Sequence, residues 1–189
     1  MTYIRKQYHT LRERILEPRR FMQILAGPRQ VGKTTLVGQV LDNITIPYSL
    51  EVADAVDPKD GDWIHRVWES ARTTMQIRKE QERLLVIDEV QKIDNWSEVV
   101  KREWDEDNRR QVNLKVVLLG NSRHLLKRGM TDSLTGRFEL IRLGHWSLQE
   151  MRDAFGVTLD QYIYFGGYPG PASMTDNEKR WRISISRTL

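Results

Sequence analysis

The chain has 189 residues, of which 39% are hydrophobic and 30% charged, a balance typical of a folded globular protein. This length suits one domain and excludes two full ones. The net charge is only +4, and the absence of cysteine excludes disulfides and thiolate metal sites.

The longest apolar runs, at 84–87 and 116–119, fall far short of the ~18 residues that a membrane span needs. The first residues also lack the apolar stretch of a secretory signal. We therefore expect a cytoplasmic protein that has no membrane partner.

The first predicted element is an N-terminal helix. Four apolar residues form one helical stripe, which ends before Pro18: Ile4, Tyr8, Leu11 and Ile15. Charged side chains surround this stripe, a pattern that favours the solvent-facing side of a docked helix over a nucleic-acid contact. We assign residues 1–20 to a helix docked on the core.

Strand and helix patterns alternate from residue 21 onward. Apolar runs predict strands at 21–26, 47–52, 84–87, 114–119 and 138–143. Helical spacing predicts helices at 34–41, after a cap at Asp62, around 96–104 and from Ser147, which forms a capping box with Glu150. The alternation predicts an α/β fold with a parallel sheet that is covered on both faces.

Residues 27–34 carry the most specific motif in the chain. They match G-x-x-x-x-G-K-[ST] and lie between an apolar strand and a helix: Gly27, Pro28, Arg29, Gln30, Val31, Gly32, Lys33 and Thr34. In such a phosphate loop, backbone N–H groups and the helix N-terminus face phosphate. We expect Lys33 to reach the β- and γ-phosphates and the Thr34 hydroxyl to ligate Mg²⁺, while Arg29 and Gln30 either contact nucleotide or only shape the loop.

Two carboxylates follow the apolar strand at 84–87. Asp88 is predicted at the carboxyl end of the sheet beside the phosphate loop, where it would hold Mg²⁺ directly or through water. Glu89 can orient and activate a water for attack on the γ-phosphate. The pair therefore favours hydrolysis over binding alone.

A small polar pair follows the strand at 114–119. The Asn121 amide or the Ser122 hydroxyl can position the attacking water or contact the γ-phosphate. Either residue can equally cap a following helix. Both interpretations stay open at this point.

Several segments together resemble the prokaryotic AAA-like P-loop ATPases of the archaeal-type ATPase family: GPRQVGKTT at 27–35, DEVQK at 88–92, LLGNS at 118–122, LTGRFE at 134–139 and YFGGYP at 164–169. The resemblance implies a three-layer P-loop NTPase sandwich with a mostly parallel five-stranded sheet of order 5-1-4-3-2 and a partial helical lid. It also implies that Thr35 belongs to the nucleotide site, and that ATP and ADP are the ligands in preference to GTP.

For single residues, the resemblance implies a sensor at Asn121 and an arginine finger at Arg137. A finger of this kind would act on the nucleotide of a neighbouring subunit in a homo-oligomer. The alternative is that Arg137 only pairs with a surface acid.

The resemblance also divides the chain into a core at 21–155 and a partial lid or truncated tail at 156–189. Family members usually continue into a C-terminal domain, which we expect this chain to lack. The first functional hypothesis is therefore a Mg²⁺-dependent ATPase core, weak in isolation, with Glu89 as base. The second is a nucleotide-gated module that binds DNA or a protein partner and uses hydrolysis only to reset.

Overall fold

The computed structural model describes residues 3–122, 125, 134–170 and 172. Its strands are β1 (Met22–Gly27), β2 (Tyr48–Val52), β3 (Arg83–Asp88), β4 (Leu114–Asn121) and β5 (Phe138–Arg142). Its helices are α1 (Lys6–Leu16), α2 (Lys33–Leu41), α3 (Trp63–Arg78), α4 (Trp96–Arg110), α5 (Leu148–Phe155) and α6 (Leu159–Phe165). Single 3-10 turns follow β2 (Ala53–Ala55) and β3 (Val90–Lys92).

All five strands belong to one parallel sheet of order β2-β3-β4-β1-β5. This is the predicted order 5-1-4-3-2 read from the other edge, so the predicted fold class is confirmed. The register pairs Gly27 with Asn121 and Val52 with Asp88. The carboxyl ends of β1, β3 and β4 therefore meet at the same edge of the sheet.

Helices cover both faces of the sheet, as the bare apolar strands predicted. On β3, Leu84 and Val86 pack with residues of α1 and α2, whereas Leu85 and Ile87 pack with α3 and α4. Trp68 of α3 and Trp96 of α4 are fully buried on the second face. Each large apolar side chain buried in this way stabilises the fold by roughly 1.5–3 kcal/mol.

Several element boundaries differ from the sequence-based prediction. Helix α1 begins at Lys6, so Ile4 precedes it and is 47% exposed. Asp62 occupies the N-cap position of α3, but its side chain makes no capping hydrogen bond. The capping box of Ser147 with Glu150 is confirmed.

The end of the chain contains one helix that the apolar pattern did not predict. Helix α6 starts with its own capping box, in which the Thr158 hydroxyl accepts from the Gln161 backbone and the Gln161 side chain accepts from the Thr158 backbone. The rest of the predicted lid or tail, residues 171 and 173–189, lies outside the described residues. Among the residues that the structure covers, no helix is long and apolar enough to cross a membrane.

A buried ionic network joins α3 to α4. The Arg72 guanidinium donates to Asp107 at 2.7 Å, to Glu103 at 2.8 Å and to Glu69 at 2.5 Å. The Trp68 indole N–H adds a second donor to Asp107, which is completely buried. Arg72 thus compensates the charge of two carboxylates that water does not reach.

We expect Arg72→Ala to lower the free energy of unfolding by about 3–5 kcal/mol, because it removes the cation that forms an ion pair with the completely buried Asp107. The matched control is Arg66→Ala, which breaks the solvent-screened pair with Asp60 at the surface and should change the free energy of unfolding very little. Urea unfolding of both variants measures the difference. Equal, small losses would contradict a structural role for the network.

Candidate nucleotide-binding site

The phosphate loop leaves β1 at Gly27 and enters α2 at Lys33. Gly32, the N-cap of α2, has φ of 88°, a left-handed conformation that glycine adopts without strain. This turn lets the chain double back into the helix, whose first N–H groups are then directed toward the loop. The structure therefore supplies the context that the motif demands.

The Lys33 side chain is buried inside the curve of this loop. Its ammonium donates to the carbonyl oxygens of Gly27 at 3.1 Å and Pro28 at 2.8 Å. Burial lowers the pKa of Lys33 from its ordinary value, and the neighbouring Glu89 and Asp88 carboxylates act in the opposite direction. The ammonium thus lies inside the loop and is held there by the backbone carbonyl oxygens of the loop itself.

The two predicted metal ligands lie in direct contact. The Thr34 hydroxyl donates to Asp88 Oδ2 at 2.7 Å, and the Glu89 backbone N–H donates to Asp88 Oδ1 at 2.8 Å. A hydroxyl and a carboxylate beside a phosphate site form the hard oxygen donor set that Mg²⁺ prefers. The residues present therefore fit a magnesium ion.

Glu89 has φ of 55°, an uncommon left-handed conformation for a residue with a side chain. Its Oε2 accepts a hydrogen bond from Gln91 Nε2 at 2.5 Å. The carboxylate contributes to the wall of the same cleft as Lys33 and Thr34. The backbone turn after β3 thus brings the predicted base to the phosphate site.

This phosphate cleft has a volume of about 400 Å³ and is lined by Arg29, Gln30, Gly32, Lys33, Thr34, Thr35, Asp54, Glu89 and Lys92. Two of these residues were not predicted: Lys92 and Asp54 form an ion pair with each other at the cleft. The pair joins the turns that follow β2 and β3. This ion pair could not be predicted from the sequence, because the ends of β2 and β3 become neighbours only in the folded sheet.

The phosphate loop is held at Val31 by hydrogen bonds from residues that the sequence analysis did not predict. The carbonyl of Val31 accepts from the Trp146 indole N–H at 3.0 Å and from Arg5 at 3.4 Å, while the Val31 side chain is buried in the core. Arg5 also forms an ion pair with Glu150 at 2.9 Å. The N-terminal segment and the start of α5 therefore hold the phosphate loop in place.

A second cleft, of about 540 Å³, adjoins the first and shares Gln30, Gly32 and Thr35 with it. Its walls include the aromatic rings of Tyr3, Trp146 and Phe155, with ring centroids 5.4 Å apart on each side of Trp146. Flat apolar rings beside a phosphate loop can accept the planar base of a nucleotide.

The predicted sensor and the predicted finger lie at opposite ends of the sheet. Asn121 ends β4 beside Gly27, the first residue of the phosphate loop. Arg137 instead precedes β5, where its carbonyl accepts from the N–H of Met22 at the start of β1. One strand, about 17 Å at ~3.4 Å per residue, separates Arg137 from the loop of its own chain.

In this structure Arg137 makes a two-pronged ion pair with Asp105 of α4, at 2.8 and 2.9 Å. The hydrogen bond from Arg137 lowers the pKa of Asp105. Pairing with a surface acid, one of the two sequence-based alternatives, is therefore present. A role as a finger requires the nucleotide of another subunit.

The fold and this site together define a P-loop nucleotide-binding protein. The family model AAA_14, described as an AAA domain, matches residues 19–152. The chain therefore belongs to the AAA domain family. No curated protein sequence matches it significantly.

Similar solved structures include two variants of RuvB from Thermotoga maritima, with TM-scores of 0.52 and 0.53 at 17% and 16% identity. Each alignment covers 83% of this chain and 47% of the RuvB chain. The chain thus spans about half the length of these proteins. At this identity the likeness shows the shared fold alone.

Proposed function

We propose that this chain binds Mg-ATP at the phosphate loop and hydrolyses it to ADP and phosphate, with Glu89 as general base. The observation that carries the proposal is the contact between Thr34 and Asp88, because it joins the phosphate loop to the strand end that bears Glu89. The proposal is supported by the cleft that Lys33, Thr34 and Glu89 line together, with Asp88 in contact with Thr34.

In the proposed reaction, Lys33 leaves its two carbonyl partners and neutralises charge on the β- and γ-phosphates. Thr34 and Asp88 would hold Mg²⁺, which supplies positive charge beside the phosphate oxygens when bound. Glu89 accepts a proton from the attacking water as the bond between the γ-phosphorus and the ADP oxygen breaks. Asn121, at the neighbouring strand end, is proposed to orient that water.

The choice of ATP over GTP rests on the narrower resemblance to the archaeal-type ATPases. The sequence also lacks the Asn-Lys-x-Asp segment that would recognise guanine. We place the nucleoside in the aromatic cleft around Trp146, since that cleft continues from the phosphate cleft through Gly32 and Thr35.

We also propose that Arg137 acts on the nucleotide of a neighbouring copy. Its place at the amino edge of the sheet, beside the edge strand β5, supports this arrangement because its own loop is out of reach. The ion pair with Asp105 would then be the resting state of the finger.

Mg-ATP should stabilise the chain against thermal unfolding, by about 2.7 kcal/mol at a hundredfold excess over the dissociation constant. Lys33→Ala should abolish the stabilisation, because it removes the cation inside the loop. Lys59→Ala, an exposed lysine outside the cleft, is the matched control and should retain it. A shift that survives Lys33→Ala would overturn the phosphate-loop assignment.

Glu89→Gln should bind Mg-ATP as wild type does but lower kcat by about 10²–10⁴-fold, because an amide cannot accept the proton. Phosphate release measures kcat, and Glu98→Gln on the exposed side of α4 serves as control. If wild type binds Mg-ATP without turnover under all conditions, the nucleotide-gated switch is favoured over the ATPase.

Arg137→Ala should bind ATP normally and lose about 10³–10⁵-fold in hydrolysis, since a finger acts on charge that develops in the transition state. Mixing it with Lys33→Ala should restore partial activity in trans. Asp105→Asn breaks the same ion pair but keeps the arginine, so its activity should stay near wild type. Equal losses in Arg137→Ala and Asp105→Asn would reduce Arg137 to a structural role.

A further inference from the structure

Gln91 lies in the 3-10 turn two residues beyond Glu89, and its side chain is buried. Its amide Nε2 donates to Glu89 Oε2 at 2.5 Å. The phosphate-loop mechanism assigns this glutamine no part. A buried amide held against the predicted base is nevertheless the immediate neighbour of the reacting group.

The other end of the Gln91 side chain lies against β4. A Cβ placed at Gly120 would be only 2.0 Å from Gln91 Oε1, so only glycine leaves room for the amide there. Gly120 pairs with Ala26 and directly precedes Asn121. The glutamine therefore spans from the Glu89 carboxylate to the strand end that bears the proposed sensor.

Because of this contact, the two oxygens of the Glu89 carboxylate are not equivalent. Among the described residues, the only hydrogen bond to this carboxylate is the one from Gln91 to Oε2. Oε1 is then the oxygen that can accept a proton from water. Because the amide is neutral, it fixes the orientation of the carboxylate without cancelling its charge.

We propose that Gln91 is a positioning residue for hydrolysis, which anchors Glu89 Oε2 and aligns Oε1 with the attacking water. The inference rests on the proposed role of Glu89 as base. A misplacement of about 1 Å in such a group can cost ~10²-fold in rate. Loss of the anchor therefore lowers kcat and leaves ATP affinity unchanged.

The direct test is Gln91→Met, which keeps the length of the side chain and its burial but removes the N–H donor. We expect kcat to fall by about 10- to 100-fold while the ATP dissociation constant stays within about threefold of wild type. Gln76→Met, on an exposed position of α3, is the matched control and should leave both values unchanged.

Gly120→Ala tests the same contact from the other side and covers the case in which Gln91→Met does not fold. The new methyl group displaces the flexible end of Gln91, so we again expect a lower kcat at unchanged ATP affinity.

A double-variant cycle separates this inference from the proposed function. If Gln91 acts through Glu89, Gln91→Met should lower kcat in the wild-type background but have no further effect in Glu89→Gln. Wild-type turnover in Glu89→Gln would overturn the base assignment itself. A slow Glu89→Gln combined with wild-type kcat in both Gln91→Met and Gly120→Ala would overturn only the positioning role.

Discussion

The parallel pairing of the strands is the constraint on which the site depends. Because every strand runs in the same direction, the residues that follow β1, β3 and β4 emerge at one edge of the sheet. The pairing of Gly27 with Asn121 and the contact between Thr34 and Asp88 are direct results. Apolar side chains are packed on both faces of the central strands, and a slip by one residue would move every one of them to the opposite face, away from the helix it packs against.

The phosphate loop is also held by hydrogen bonds from residues outside its own sequence motif. Arg5 and Trp146 come from opposite ends of the described chain, yet both donate to the carbonyl of Val31. A loop rich in glycine loses much conformational entropy when it is ordered. These two donors offset part of that cost before any nucleotide arrives.

Much of the fold could be predicted from periodicity and turn chemistry, because the central strands β1, β3 and β4 are short, largely apolar runs and Ser147 carries a complete capping box. Helix α6 was missed because the apolar pattern weakens from Leu159 onward, and none of the side chains of this short helix is buried in the core. The motif residues from Gly27 to Thr34 follow from a spacing that backbone geometry requires. Arg5 and Trp146 could not be predicted, since only tertiary folding brings them to Val31.

The two clefts meet at the phosphate loop, and this arrangement has a physical consequence for what the nucleotide does. A ligand can shift a conformational equilibrium only through contacts that differ between the two states. A nucleotide that spans both clefts would touch Lys33 on one side and the Trp146 ring on the other. Since Arg5 links that ring to Glu150 of α5, a nucleotide bound in this proposed position would contact the group of side chains that holds α5 against the core.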